Sequence, residues 1–267
     1  MATMTEFSAV TIEIGGLPIR MRSEDPAFIE LLKQRYAGFL PSHRAAKFDF
    51  EVELVQPSGS PGEDVSVHWD AGQWSFRRGD FRAEWNPSSA RGRIRQTANP
   101  YSLDSVLRIV HTLLLARQGG FLVHASSAVR NGRAFLFAGV SGAGKTTIAK
   151  LAPPNALLLT DEISYVSRQE NGYEAFGTPF VGELGRSGMN LRAPIAALYL
   201  LAKGAKNAIE DVNETEAVRG VLENVLFFSK DSSLVERVFQ SACDFVSAVP
   251  VRRLKFVPDA RVWELIV

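Results

Sequence analysis

The sequence predicts an α/β protein with an N-terminal, mostly antiparallel β-rich unit over residues 1–100 and an α/β domain over residues 101–267. Three observations carry this. Short alternating apolar and polar runs, punctuated by Gly and Pro, fill the first hundred residues. At Ser102 the apolar spacing changes to that of a helix. From Ala134 an apolar strand runs into a glycine-rich loop and then into a second helical segment.

Residues 7–22 alternate around Gly15-Gly16 and predict two strands joined by a turn. Asp25 to Phe39 predicts a helix with Phe28, Leu31, Leu32 and Tyr36 on one face, ended by Pro41. Phe48 to Val55 alternates as a strand, and the Pro, Gly and Ser content of Gln56 to Asp64 marks a loop. Val65 to Gln96 holds three or four short strands separated by Gly72, Gly79 and Pro87. Ser102 to Arg117 predicts a helix, with Leu103, Val106, Leu107, Val110, Leu113 and Leu114 at helical spacing and Gly119-Gly120 as its stop. Two strands follow, Phe121 to Val129 and Ala134 to Ala138, joined through Asn131-Gly132, the strongest short hairpin signal. Asn213 to Phe228 and Asp231 to Val246 predict amphipathic helices with apolar faces for a core.

Composition narrows the classes. Apolar residues at 46% and charged residues at 22% suit a packed globular core. A formal net charge of +1 argues against nucleic acid or an anionic membrane as partner. Cys243 is the one cysteine, so no internal disulfide forms. The N-terminus lacks the pattern of a signal peptide, and no apolar stretch is long enough to span a bilayer; a cytoplasmic protein is expected.

Residues 139–146 read Gly-Val-Ser-Gly-Ala-Gly-Lys-Thr, a full match to the G-x-x-x-x-G-K-[ST] pattern of a P-loop, or Walker A, sequence. Gly139, Ser141, Gly142, Ala143 and Gly144 would form the phosphate-binding loop, in which Gly142 and Gly144 let backbone N–H groups converge on phosphate oxygens without a Cβ in the way. Lys145 would reach the β- and γ-phosphates, the Thr146 hydroxyl suits Mg²⁺, and Thr147 continues the helix whose N-terminus favours an anion. The expected ligands are ATP and Mg²⁺. After Pro153-Pro154, Ala156 to Leu159 predicts a buried strand that ends at Asp161-Glu162. Carboxylates at that end of an α/β sheet can hold Mg²⁺ or accept a hydroxyl proton. If Asn131 and Gly132 are the central residues of the hairpin, Arg130 faces Arg133, and the same register sets His124 opposite Gly139.

The run His124-Ala125-Ser126, the loop from Gly139 to Thr147 and the segment Leu157 to Ile163 with its acidic pair resemble the catalytic half of HPr kinase/phosphorylase and its smaller relatives. Gly177-Thr178-Pro179-Phe180, Gly182-Glu183 and Val262-Trp263-Glu264 add to the likeness, which spans roughly residues 100–267. The resemblance implies a nucleotide-binding fold like that of phosphoenolpyruvate carboxykinase. It also implies a serine kinase whose catalytic residues are Asp161, His124 and Lys145, with Thr146, Asp161, Glu162 and Glu183 around the metal and a protein or peptide as acceptor. The second acid of that family is Asp where this chain has Glu162, and the family's later basic, Pro-rich loop has no counterpart. Self-association stays open. An ATP-dependent sensor or scaffold and a small-molecule kinase of the same fold are the other readings.

Arg186 and Arg192 flank Gly188-Met189-Asn190 in a polar stretch that reads either as a source of transition-state cations or as a surface loop. Arg77, Arg78, Arg82, Arg91, Arg93 and Arg95 form a local basic cluster with Asp80 and Glu84 against it. It reads as a solvated sheet face or as a docking surface for an acidic protein or peptide.

Overall fold

A computed structural model of the chain describes residues 6–41, 44–56 and 59–267. The chain is mixed α/β with two mixed sheets and divides into two compact units, residues 1–111 with 228–232, and residues 112–227 with 233–267. The division falls inside the helix that begins at Pro100. No helix among the described residues is long and apolar enough to cross a membrane.

The first unit contains β1 (Ser8–Ile14), β2 (Leu17–Ser23), α1 (Pro26–Arg35), β3 (Phe48–Leu54), β4 (Ser66–Asp70), β5 (Gln73–Arg78), β6 (Phe81–Asn86), β7 (Arg91–Gln96) and most of α2 (Pro100–Leu115). Its strands make one seven-stranded sheet in the order β1-β2-β3-β7-β6-β5-β4. The hairpin β1–β2 and the meander β4 to β7 are antiparallel, and β3 joins them by pairing parallel to both β2 and β7. Alternate residues of the meander, Trp74, Phe76, Phe81, Ala83, Trp85 and Ile94, are buried, while their neighbours face solvent. α1 starts where the Asp25 carboxylate accepts the Phe28 N–H at 3.0 Å and Pro26 fills the first turn, a cap worth about 1 kcal/mol. Its buried stripe is Phe28, Ile29, Leu32 and Tyr36; Leu31, expected on that face, is 39% exposed. One turn is 3.6 residues, so position 29 falls about 20° past position 36 and borders the arc set by 28, 32 and 36, whereas 31 falls about 60° beyond its other side. Asp104 of α2 accepts hydrogen bonds from the Tyr36 hydroxyl and the Arg35 guanidinium.

The second unit contains β8 (Phe121–Val123), β9 (Ala125–Arg130), β10 (Arg133–Ala138), α3 (Lys145–Lys150), β11 (Leu157–Thr160), β12 (Ser164–Gln169), β13 (Gly172–Phe176), β14 (Arg192–Lys203), β15 (Ala208–Asp211), α4 (Glu214–Leu222), β16 (Val225–Leu226), α5 (Ser232–Ala248) and β17 (Val251–Phe256). A ten-stranded sheet follows the path β11-β9-β10-β14-β13-β12-β8-β16, with β17 beside β14 and β15 beside β17. β14 is long enough to serve two ladders: Arg192–Pro194 pairs antiparallel with β13, and the rest runs parallel to β10 and β17. β10 is buried on both faces. Phe135 and Phe137 lie in the cluster with Ile148 of α3 and Trp263, whereas Ala134, Leu136 and Ala138 lie in the cluster with Ala217 of α4 and Phe245 of α5.

Three elements differ from the sequence reading. The run Phe121 to Val129 is two strands: β8 pairs with β12 and β16, β9 pairs with β10 and β11, and the break is at His124. The helix expected to reach Phe228 stops at Leu222, because Asn224 turns its side-chain amide onto the Gly220 carbonyl at 2.8 Å and the chain then enters β16. The strand before Asp161 is an edge strand, paired among the described strands to β9 alone, with Leu157 41% exposed, and not a fully buried one.

Candidate functional site

The hairpin β9–β10 has the register expected from Asn131-Gly132, both of which have positive φ (52° and 74°) as a type I′ turn needs. The ladder closes at Ala125 opposite Ala138. β11 is antiparallel to β9 and so runs with β10, and β14 and β17 run the same way. The C-terminal ends of β10 and β11 and the start of β9 therefore share one end of the sheet. Gly139, Asp161 and His124 each lie one residue beyond those strand ends.

Between β10 and α3 the chain turns through Gly139–Gly144. Gly142 and Gly144 have φ of 77° and 109°, a region that L-residues avoid. A Cβ on Gly144 would also lie 2.6 Å from the Phe256 ring, so the loop packs onto the end of β17 only with glycine there. Space is open above Gly142, and Ser141 beside it is exposed. The Ala143 N–H donates to the Val140 carbonyl at 3.0 Å and closes the turn. A glycine-rich turn of this kind can present backbone amides to an anion. α3 has six residues and begins at Lys145. So short a helix has a small macrodipole, and local amides and Lys145 supply most of the cationic character.

Lys145 is 8% exposed, and its ammonium donates to the Gly139 carbonyl at 2.7 Å and the Val140 carbonyl at 3.2 Å. Burial lowers its pKa below the ordinary lysine value, and the nearby carboxylates of Glu183 and Glu162 oppose that drop. The Thr146 hydroxyl donates to Glu183 Oε2 at 2.8 Å. Thr147 follows in the first turn of α3, where its carbonyl accepts the Leu151 N–H at 3.0 Å. Behind the loop the buried Ser126 hydroxyl donates to the Lys145 carbonyl at 3.1 Å, and the Trp263 indole donates to the Ile148 carbonyl at 3.0 Å.

Asp161 is buried, and both of its oxygens accept backbone N–H groups, from Gly182 at 3.0 Å and Leu184 at 2.8 Å. The residue between those two donors is Glu183, so Asp161 fixes the segment that delivers a second carboxylate to Thr146. Gly182 is required there: a Cβ would stand 2.8 Å from Asp161 Oδ2 and 2.9 Å from the Glu162 Cβ. A carboxylate has about four lone-pair sites, so two amide bonds leave capacity on Asp161 for a proton or a metal. Thr160 shapes the acidic turn, its hydroxyl accepting the N–H groups of Glu162 and Ile163, each at 3.2 Å.

His124 occupies the one-residue gap between β8 and β9. Its N–H donates to the Asn224 carbonyl at 2.7 Å, and the residue is exposed at the loop end of the sheet, outside the apolar core. The stretch holding Arg186 and Arg192 is tied down rather than loose. Gly188 N–H donates to the Thr178 carbonyl at 3.2 Å, Met189 N–H to Leu158 at 3.0 Å, and Thr178 N–H to Leu159 at 3.1 Å, so the segment runs along the free edge of β11. Both arginines are exposed, and Arg192 also pairs with Glu174 at 3.5 Å beside the β13–β14 ladder.

The geometry thus gathers Lys145, Thr146, Glu162 and Glu183 around the loop, with Asp161 bracing Glu183. Phe256, Ser126, Thr160 and Gly182 position these groups. Ser126 and Gly182 stood in the motif runs already quoted; Thr160 carries the local signal of a hydroxyl two and three residues before the amides it caps. Phe256 carries none, because its meeting with Gly144 depends on long-range pairing. Among the described residues no three His, Cys, Asp or Glu side chains converge as a self-contained metal cage. Mg²⁺ in phosphate sites takes one or two protein oxygens and completes its sphere with phosphate and water, so Thr146 with Glu183 is a donor set that fits it.

A family model described as "SynChlorMet cassette protein ScmC" matches residues 94–267. No curated protein matches the chain.

Proposed function

The chain belongs to that family, whose description states no chemistry, and we propose from the site itself that it is an ATP- and Mg²⁺-dependent kinase that moves the γ-phosphoryl group to a hydroxyl, namely a serine of a protein or peptide. The observation that carries the reading is the strand–glycine loop–helix of β10 and α3 with buried Lys145 and a carboxylate on Thr146. This second unit is then a P-loop domain of the HPr kinase and phosphoenolpyruvate carboxykinase type.

In this reading the amides of the loop and Lys145 hold the triphosphate. Lys145 leaves the carbonyls of Gly139 and Val140 to do so, a small move for a flexible side chain. Thr146 and Glu183, with Asp161 or Glu162, would hold Mg²⁺, which would supply charge neutralisation for the triphosphate. The acceptor oxygen bonds to the γ-phosphorus as the bridge to ADP breaks, and the hydroxyl proton passes to the Asp161–Glu162 pair, with His124 orienting or relaying. Positioning and fixed charge, rather than covalent chemistry by the protein, account for most of the rate. The rival reading, a nucleotide-dependent sensor, draws on the double use of Asp161 by backbone amides.

Transfer of label from γ-labelled ATP to proteins of a source lysate, followed by single-turnover assays on the labelled acceptor, tests the reading. Asp161→Asn should still bind nucleotide yet lose about 10²- to 10⁴-fold in transfer if the residue takes the proton. A defect that shrinks as Mg²⁺ is raised assigns Asp161 to the metal instead. Nucleotide binding with no labelled acceptor would leave the sensor standing, and equal ATP affinity in wild type and Lys145→Ala would remove the nucleotide site itself.

A further inference from the structure

The exposed face of the first unit carries a cationic groove that the phosphoryl-transfer reading does not use. Register places Ser66 opposite Arg77, Arg77 opposite Arg82, Arg82 opposite Arg95, and Arg95 opposite Glu53, one continuous row across β4, β5, β6, β7 and β3. Three arginines are thus direct cross-strand neighbours, spaced by about 4.8 Å of strand separation. Like charges in that relation destabilise a sheet. The two ends are satisfied: Arg77 Nε donates to the Ser66 hydroxyl at 3.3 Å, and Arg95 pairs with Glu53 at 3.1 Å. The side chain of Arg82, in the middle and exposed, makes no hydrogen bond or ion pair among the described residues.

Two cavities, about 630 Å³ and about 310 Å³, open on this row and share Ser66, Arg77 and Arg82 in their walls. Together they form a groove along both flanks of Arg82. Its base is rigid. Phe76 and Phe81 are buried, and Arg78 is held in a fork by Asp80 at 2.6 and 2.9 Å, with Asp80 also accepting the Ser102 hydroxyl at 2.6 Å.

We propose that this groove docks an extended acidic peptide segment, two or three Asp or Glu side chains lying along Arg77, Arg82 and Arg95. Guanidinium groups fork onto carboxylates with two parallel hydrogen bonds, and a row of them with an unpaired centre is complementary to successive carboxylates. The surroundings select a peptide over a nucleic acid. The next row on the same face, His68, Ser75, Glu84, Arg93 and Glu51, is of mixed sign, and Glu63 and Asp64 stand at the rim. The positive band is therefore three strands wide and one residue deep, enough for a few carboxylates and too confined for a phosphodiester tract, which needs a continuous cationic path. The inference stands apart from the kinase reading, since every residue in it belongs to the first unit.

Fluorescence anisotropy of the full chain at low ionic strength tests it, with a labelled peptide of alternating Glu and Ser, its Gln counterpart, and a single-stranded oligothymidylate of equal charge. The Glu peptide should bind at least tenfold tighter than the Gln peptide. Arg82→Gln should weaken that binding at least fivefold, Arg82→Lys should restore part of it, and Arg91→Gln, outside the groove, should leave it unchanged. Equal binding of the Glu and Gln peptides would overturn the proposal. So would Arg82→Gln binding like wild type, an equal loss in Arg91→Gln, or tighter, Arg82-dependent binding of the oligonucleotide. Circular dichroism of each variant separates lost binding from lost fold.

Discussion

Lys145 and Arg82 are both cations carried on β-sheet scaffolds, and the chain treats them in opposite ways. Lys145 is buried, bonded to two carbonyls and faced by Glu162 and Glu183. Arg82 is exposed and stands between two further arginines, with no ion pair to its side chain among the described residues. A buried charge must be compensated, because desolvation without partners costs several kcal/mol. An exposed one can be left in excess, because water screens it. On the proposed readings, the first arrangement would store a cation for a ligand that displaces its internal partners. The second advertises charge to a ligand that brings its own.

The largest effect expected on this comparison is at Lys145. On the proposed reading, Lys145→Ala removes the main counter-charge of a bound triphosphate, and with it the cation near Glu162 and Glu183. Transfer should fall by at least about 10²-fold, with weaker nucleotide binding by calorimetry. Arg82→Gln should leave both unchanged. If the two variants damage transfer equally, the two cations do not have separate tasks.

Gly182→Ala should come next. The new Cβ meets Asp161 Oδ2 at 2.8 Å and the Glu162 Cβ at 2.9 Å, both beside well-packed backbone. Overpacking of this kind costs about 1–3 kcal/mol. The strain should release the Gly182 and Leu184 amides from Asp161 and carry Glu183 away from Thr146, so amide exchange at 182–184 should quicken together with the loss of stability. Unchanged exchange there would show that Asp161 does not brace Glu183.

How much of this was legible in the sequence depends on the distance over which each feature is encoded. The Asn131-Gly132 turn fixes its own ladder, and the sequence alone yields the pairing as far as Ala125 with Ala138. The Asp25 cap and the stripe of α1 are equally local, and the one misplaced residue there, Leu31, was an error of helical phase. By contrast, the parallel pairing of β3 with β2 and β7 leaves no mark on any one strand, because a half-buried strand alternates whichever neighbour it takes. The break at His124 was hidden inside an apolar run that reads as one strand, yet the two halves join different ladders. At the proposed site, the glycines, Lys145 and the acidic pair could be picked out in the sequence because the P-loop pattern specifies residue types at fixed spacing. That the oxygens of Asp161 would be occupied by amides twenty-odd residues away was not, since backbone donors have no residue identity. The basic cluster was visible as six arginines, but only the register selects Arg77, Arg82 and Arg95 as one row.

Acid separates cations that titrate from those that do not. His111 of α2 is fully buried, and burial pulls its pKa down to about 3. The unfolded chain binds a proton there near pH 6.5 and the folded chain does not, so stability is lost as pH falls from about 6.5 toward 3. Between pH 7 and 5 the loss should be about 2 kcal/mol, read from denaturant midpoints. His111→Gln should flatten that slope. Arg82→Gln should leave it intact, as arginine stays charged throughout.

The smallest effect carries the most information about the groove. Arg82→Gln removes a like charge from between Arg77 and Arg95 and breaks no hydrogen bond or ion pair among the described residues. Cross-strand charge pairs are worth about 0.2–1 kcal/mol each, and exposure places this pair of repulsions at the low end. The variant should therefore be more stable than wild type by a few tenths of a kcal/mol, a rise in melting temperature that shrinks as salt is added, since screening already relieves the repulsion. Sequences hold such uncompensated charges where function repays the lost stability. A gain in stability together with a loss of acidic-peptide binding in the same variant would tie the two effects to one side chain. A loss of stability would mean instead that Arg82 is neutralised within the fold. The row would then be a balanced surface network, and the contrast with Lys145 would disappear.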